Sequence, residues 1–500
     1  MSEISTSTSP NGAPPSDGDS DVASPRGGKA ASPRAPATDE PAVSLPGAGR
    51  ALARKLAEKT ATVGVVGLGY VGLPLAVEYA KKGFAVQGID LSEARVEKLR
   101  AGQNYIADVD DDDVARAVEE EQLAARADFE AAGEADVVFI CVPTPVTPHK
   151  DPDTSAIEAA TEALAARLRE GQLVVLRSTT YPNTTEELVR PLLKKAGAAK
   201  GLELGRDFFL AFSPERIDPG NEQFTAANTP VVVGGVTAAC TELAARASRQ
   251  IVAQVHRVSS PAAAEMEKLL ENIFRSVNIA LVNELARLCD RLGNVSMWEV
   301  VEAAASKPFG FMPFHPGPGL GGHCIPVDPH YLSWLAREYD FETSFITLSA
   351  RINEGMPHYV ADAVVQAVAE QPVRLADAQV LVLGVAFKKN VDDTRHSPAA
   401  TVMRLLRERG VEHIQYSDPH VPVFEAPRPS GRSERLEAVS LTEEALAEHD
   451  VAVLLTDHSA FPYSKIAEHA RAIVDTRNAF GHVPHHRGKI SVLGGGGFTS

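Results

Sequence analysis

Two trains of short apolar runs alternate with Ala/Glu/Arg-rich stretches, and one long helical pattern lies between them. Together they predict an α/β chain of two Rossmann-like, doubly wound domains joined by a central long helix within a helical domain. The first train begins near Thr62 with "VGVVGLG", "AVQGID", "ADVVFICVP", "LVVLRSTT", "FFLAFSP" and "VVVGG". The second restarts the alternation with "AQVLVLGVAF", "HIQYSDP", "DVAVLLTDH" and "AIVDTRN". The expected boundaries are a disordered tail over 1–50, a dinucleotide-type domain over 60–255, a central helical domain over 256–365 and a second α/β domain over 370–490.

The tail is rich in Ser, Pro, Ala, Gly and Asp and lacks the apolar core of a signal peptide. Across 500 residues, 44% hydrophobic and 23% charged, no apolar run approaches the ~20 residues that cross a bilayer, so no membrane span is expected. Four cysteines, at 141, 240, 289 and 324, build neither a disulfide framework nor a zinc cluster, and suit a reducing cytoplasm; no metal site is expected. A net charge of −17 repels polyanions, which argues against nucleic acid as a partner.

The first strand runs into Gly67, Gly69 and Gly72, with Tyr70 and Val71 between them, the spacing of a dinucleotide-binding turn. Asp90 ends the second strand, where an acidic side chain accepts both ribose hydroxyls and repels a 2′-phosphate, favouring NAD over NADP. Arg95 reads either as a neighbour of the adenosine or as a solvated helix arginine. Ligands gather beyond the carboxyl ends of parallel strands, so the loops "CVPTP" with Thr144, "STTYP" with Thr179 and "SPERIDPGN" with Glu215 and Arg216 are candidate site loops.

From Ser259 to Gly293 runs a helical segment in which Ser260 caps, Pro261 fits the first turn and Gly293 terminates. Met266, Leu269, Leu270, Ile273, Phe274, Val277, Leu281, Leu285 and Leu288 recur at helical spacing and predict a packing surface. Lys268 and Asn272 share one face, an arrangement that on its own is more often solvated than functional. Further on, "PGPGLGGHCIPVDPHYL" holds Cys324 in a loop too rich in Gly and Pro for a helix or strand, a thiol placed to react. In the second α/β train, "KKNVDDTRHSP" sets Lys388, Lys389 and Arg395 at a strand's carboxyl end, where they suit a diphosphate or form a solvated loop.

These residues resemble the UDP-glucose/GDP-mannose dehydrogenase family, most closely its branch acting on UDP-N-acetylglucosamine. The markers "GLGYVG", "CVPTP", "STTYP", "SPERIDPGN", "EKLLENIFRSVNIALVNE", "GPGLGGHCIPVDP" and "GVAFKKNVDDTRHSP" stand in family order over about 60–480. The resemblance implies an N-terminal NAD domain, a central helix that mediates contacts in a homodimer or higher homo-oligomer, and a C-terminal domain for the UDP moiety of a UDP-N-acetylhexosamine. It places Gly67, Gly69, Tyr70, Val71, Gly72, Asp90, Arg95, Thr144 and Thr179 at the cofactor. Glu215, Arg216, Lys268, Asn272, Gly321, Lys388, Lys389 and Arg395 fall at the substrate.

The implied reaction takes the sugar's carbon-6 alcohol to a carboxylate with two NAD+ and no free aldehyde. A thiolate is needed because an aldehyde has no hydroxyl to oxidise until a nucleophile adds. Cys324 supplies it, passing through a thiohemiacetal to a thioester, and hydrolysis makes the sequence irreversible. By the same resemblance, Glu215 and Asp328 are acidic groups near the water, Lys268 and Asn272 stabilise the oxyanion, and Thr179 positions water and cofactor. Cys141, Cys240 and Cys289 lie in apolar or alanine-rich contexts that suit burial, and His323 beside the thiol is a minor contributor. UDP-N-acetylglucosamine leads and UDP-N-acetylmannosamine follows, ahead of UDP-glucose, because the "GGHC" loop resembles the N-acetylhexosamine enzymes. A catalytically silent NAD or UDP-sugar sensor is the reading from another class, and it would need none of Cys324, Lys268, Asn272 and Asp328. A single-step hydroxyacid dehydrogenase would need no nucleophilic cysteine.

Overall fold

The computed structural model describes residues 43–106, 109–147, 150–216, 228–322, 325–483 and 489–498. The chain is ordered earlier than its composition suggested. A helix spans Gly47–Ala57, so part of the tail expected over 1–50 belongs to the first domain, and residues 1–42 lie outside the described residues. Leu52 and Leu56 are buried on one face, and Gly49 lets the helix close on Phe209, which a Cβ there would meet at 3.2 Å. Lys55 Nζ anchors the helix to Asp136 Oδ1 at 2.8 Å.

The first domain is an eight-stranded sheet in the order β3-β2-β1-β4-β5-β6-β7-β8. Its strands are β1 (Thr62–Val66), β2 (Ala85–Ile89), β3 (Leu123–Arg126), β4 (Val137–Ile140), β5 (Leu173–Leu176), β6 (Phe209–Phe212), β7 (Val231–Gly235) and β8 (Val255–Arg257). All neighbours are parallel except β6 and β7. Strands β4, β5 and β6 are buried along their whole length, which explains their unbroken apolar runs: helices cover both faces of the sheet. β3 and β8 escaped the sequence reading because they are short and partly exposed.

The central helix runs Pro261–Leu292 with the expected ends. Ser260 Oγ accepts from the Ala263 N–H at 3.2 Å, and Gly293 closes it at φ 76°. Its buried face differs from the expected one. Leu269 is buried, but Met266, Leu270, Phe274, Leu281, Leu285 and Leu288 are 38–59% exposed in the single chain. The buried stripe is made of small and polar residues, among them Ala264, Lys268, Asn272, Ser276, Ala280 and Asn283. Small side chains admit the helix Ser344–Ala369 closely, and the polar ones find partners on it: Asn283 Nδ2 donates to Asn353 Oδ1, and Asn353 Nδ2 to the Ser276 carbonyl, both at 3.0 Å.

The last domain is a five-stranded parallel sheet, β10-β9-β13-β14-β15. Its strands are β9 (Gln379–Leu383), β10 (His413–Ser417), β13 (Val451–Leu454), β14 (Ile473–Asp475) and β15 (Ile490–Val492). A hairpin of β11 (Val423–Pro427) and β12 (Ser433–Glu437) is inserted after β10. Beyond β15 the chain returns to the central domain. Leu493 and Gly494 carbonyls accept from Trp298 Nε1 and the Met297 N–H, both at 2.7 Å. The Asp290 carboxylate at the end of the central helix receives the Gly494 and Gly496 N–H groups at 3.1 and 3.3 Å. Among the described residues no helix is long and apolar enough to cross a membrane, and no His/Cys/Asp/Glu group could hold a metal ion.

Candidate active site

A single cleft of about 2460 Å³ draws its walls from all three domains. At one end lies the glycine turn. Gly67 has φ 89°, and a Cβ there would stand 2.6 Å from the Cys141 carbonyl oxygen; one on Gly72 would lie 1.8 Å from the Gly67 oxygen. A Cβ on Gly69 would meet nothing within 4 Å, because this glycine faces open cleft. Two glycines thus close the turn and the third leaves room for a ligand. Tyr70 and Val71 line the cleft beside it, whereas Gly72 is spent on packing and does not.

Asp90, directly after β2, is 8% exposed. Its carboxylate accepts from the Leu68 N–H at 2.8 Å and the Ser92 N–H at 2.9 Å, which ties the second strand's end to the turn. Arg95 reaches Asp90 Oδ2 at 3.3 Å, and both line the cleft. Thr144 and Thr179 follow on the loops after β4 and β5, joined by the Thr144 hydroxyl donating to the Thr179 carbonyl at 2.7 Å. Tyr331 in turn donates its hydroxyl to the Thr144 carbonyl. An open cradle at Gly69 and an acid at the end of β2 fit a dinucleotide.

The middle of the cleft is held by the central helix and the helix Asp328–Ala336. Lys268 and Asn272, four residues apart on one helical face, both point inward, 8% and 3% exposed. Asn272 Nδ2 donates to Asp328 Oδ2 at 2.6 Å. Burial pushes the Asp328 carboxyl up to about 7, against the opposing pull of the Lys268 charge and the Asn272 hydrogen bond. A carboxyl so placed exchanges a proton near neutral pH. Beneath it Leu269, Val327 and Tyr331 form a small core with Val146, Tyr181 and Ile273, which fixes this helix against the loops of the first domain.

Glu215 lines the cleft three residues beyond β6, where Arg177 Nη2 donates to its Oε2 at 2.5 Å and the Arg216 N–H to its Oε1 at 2.8 Å. Arg216 also lines the cleft, but its guanidinium is engaged elsewhere. It forks onto Glu271 of the central helix and donates to the Pro230 carbonyl at 2.8 Å. Residues 217–221, the rest of "SPERIDPGN", lie outside the described residues.

Cys324 and His323 also lie outside the described residues, although Gly321, Gly322, Ile325 and Asp328 around them line the cleft. Phe387, from the last domain, packs against the two glycines: a Cβ on Gly321 would lie 2.6 Å from Phe387 Cβ, and one on Gly322 would lie 2.9 Å from its ring. The other three cysteines are buried, and burial pushes the Cys141 thiol up to about 12. They remain thiols at neutral pH.

Lys388, Lys389 and Arg395 line the cleft from the last domain. They follow β9, beside the β9/β13 boundary where strand order reverses. The loop is braced from below. The Asn390 N–H donates to His458 Nδ1 at 3.0 Å, and the other ring nitrogen, Nε2, lies 3.0 Å from Asp418 Oδ2, so it carries the proton. Arg395 pairs with Asp393 and lies 4.1 Å over the ring of Tyr70, bringing the last domain onto the dinucleotide turn.

Sequence reading had not picked out Arg177, Tyr331 or Phe387. Arg177 left one signal, a charged residue immediately after four fully buried apolar positions.

Three consecutive segments match models of one family. Residues 61–252 match the UDP-glucose/GDP-mannose dehydrogenase family NAD binding domain, 262–355 its central domain and 381–482 its UDP binding domain. A UDP-N-acetyl-D-glucosamine 6-dehydrogenase of Pseudomonas aeruginosa is 38% identical over 369 residues, covering 74% of this chain and 85% of that protein. An NDP-N-acetyl-D-galactosaminuronic acid dehydrogenase of Ralstonia nicotianae is 36% identical, covering 83% and 95%. Among solved structures, a UDP-D-ManNAc dehydrogenase of Pyrococcus horikoshii superposes with a TM-score of 0.76 at 31% identity, covering 87% of this chain and all of that one.

Proposed function

This chain belongs to the UDP-glucose/GDP-mannose dehydrogenase family, and from that premise we propose that it oxidises carbon 6 of UDP-N-acetylglucosamine to the carboxylate in four electrons. One observation carries the reading. The dinucleotide turn, the Lys268–Asn272–Asp328 group and the Lys388/Lys389/Arg395 loop open onto the same cleft. A binding module needs the glycine turn and the cationic loop; a lysine and a carboxyl buried in the same cleft support chemistry.

NAD+ supplies the acceptor for both electron pairs removed from carbon 6, in a cradle formed by Gly67, Gly69 and Asp90. Cys324 adds to the aldehyde carbon as a thiolate, which gives the carbon a hydroxyl and lets it reach the thioester level. Lys268 sets a positive charge where oxygen becomes anionic in the addition and in the hydrolysis. Asp328, held by Asn272, takes the proton from the attacking water. Glu215 provides a second carboxylate, Thr179 orients water, and the cationic loop holds the diphosphate.

The acetamido sugar is favoured because the relatives above carry the names of N-acetylhexosamine enzymes. UDP-N-acetylmannosamine is the second choice, supported by the Pyrococcus structure, which covers 87% of this chain. The exposed apolar row of the central helix supports a homodimer through that helix. A panel of UDP-glucose, UDP-N-acetylglucosamine, UDP-N-acetylmannosamine, UDP-galactose and GDP-mannose, followed by NADH absorbance, is the test. We expect two NADH per UDP-N-acetylglucosamine, and no acid product from Cys324→Ser, which still binds NAD+. A stoichiometry of one, or full activity in that variant, would refute the thioester route; no turnover with any sugar would leave the sensor.

A further inference from the structure

Strands β5 and β6 are parallel neighbours in register Leu176↔Phe212, so the residues just past their ends lie side by side. Arg177 follows β5 at 5% exposure and reaches across to Glu215, past the end of β6. The pair is poorly explained as a stabilising device. Desolvating a guanidinium and a carboxylate offsets most of their attraction, and apolar replacements of such pairs are often neutral. Arg177 carries a further cost, because its Nε is buried with no hydrogen-bond partner.

What the pair does achieve is geometric. One oxygen of Glu215 is taken by Arg177 and the other by the Arg216 N–H, so donors from two loops fix both the position and the plane of the carboxylate. Both partners line the cleft, and the guanidinium of Arg216 is turned onto Glu271 rather than onto Glu215. A group set in advance loses nothing to reorientation as charge develops.

We propose that Arg177 is a positioning residue for the reaction, acting through Glu215 by locking its carboxylate against the cleft. The proposal rests on the reading of Glu215 as part of the catalytic machinery. A misplacement of about 1 Å in such a group costs about 100-fold in rate. Arg177→Met should therefore lower kcat by about that factor while KM for NAD+ holds, and Arg177→Lys, which keeps the charge and one donor, should recover part of the loss.

The deciding measurement is a double-mutant cycle with the active UDP-sugar, using Arg177→Met, Glu215→Gln and the pair, with near-UV circular dichroism to establish folding. The pair removes both charges together, so it folds even where Arg177→Met alone leaves an orphaned carboxylate. If Arg177 works through Glu215, the double variant is no slower than Glu215→Gln alone. Losses that multiply would overturn the proposal while leaving Glu215 catalytic. A Glu215→Gln enzyme with full kcat would remove both the reading of Glu215 and the role of Arg177.

Discussion

Asp328 is 2% exposed, donated to by Asn272 and influenced by the charge of Lys268, and its carboxyl sits at about 7 because burial outweighs both. If its ionised form is the base, kcat falls as pH drops through about 7. Lys268→Met removes the ammonium charge that favours ionised Asp328, so the acid limb moves to higher pH; a pH–rate profile of the two enzymes checks this. Stability has its own sign. A carboxyl raised on folding favours the native state while protonated, and that contribution is lost as pH rises through about 7. Asp328→Asn cannot ionise, so its melting temperature relative to the parent should rise between acid pH and pH above 7. Glu265 is a second such carboxyl, pushed to about 7 by burial while accepting from Asn183, Thr185 and the Thr185 hydroxyl.

At the scale of elements, the dinucleotide turn separates folding from binding within six residues. A methyl on Gly72 would overlap the Gly67 carbonyl at 1.8 Å, so Gly72→Ala forces the turn apart. A methyl on Gly69 meets only open cleft. Gly72→Ala should lower the melting temperature, whereas Gly69→Ala should leave it unchanged and raise KM for NAD+; calorimetry and steady-state kinetics on the two proteins distinguish these outcomes. The strongly patterned elements were legible. Ser260, Pro261 and Gly293 bound the central helix where their local chemistry says they should, and β1, β4, β5 and β6 follow their apolar runs. β3, β8 and the β11/β12 hairpin were not read, because short, half-exposed strands carry little hydrophobic pattern. The helix Gly47–Ala57 was hidden by the Ser/Pro-rich composition that precedes it.

For the whole molecule, the central helix raises the question of what covers its apolar row. Leu281 and Leu285 are 53% and 38% exposed, one helical turn apart, and Phe345 and Leu348 of another helix are exposed at 76% and 53%. Apolar surface of this kind is what an interface between two copies would cover. Under the homodimer reading, Leu281→Glu with Leu285→Glu should yield a monomer with an unchanged circular dichroism spectrum, measured by sedimentation. An unchanged oligomer would exclude this helix face as the interface. The chain's return from β15 to Asp290 and Trp298 ties the last domain, which carries Lys388, Lys389 and Arg395, to the end of the central helix, which carries Lys268 and Asn272, and to the helix that follows it.

The residue types, the glycine turn, the helix caps and the order of the site loops were determined by the sequence alone, because each depends on neighbours within a few positions or on the chemistry of one side chain. Only the tertiary structure decided which stripe of the central helix is buried, that Arg216 is captured by Glu271, and that Arg177 meets Glu215. Those outcomes turn on competition between partners far apart in the chain. Local periodicity shows that a helix has an apolar row but not whether a smaller, polar stripe finds a better-fitting neighbour.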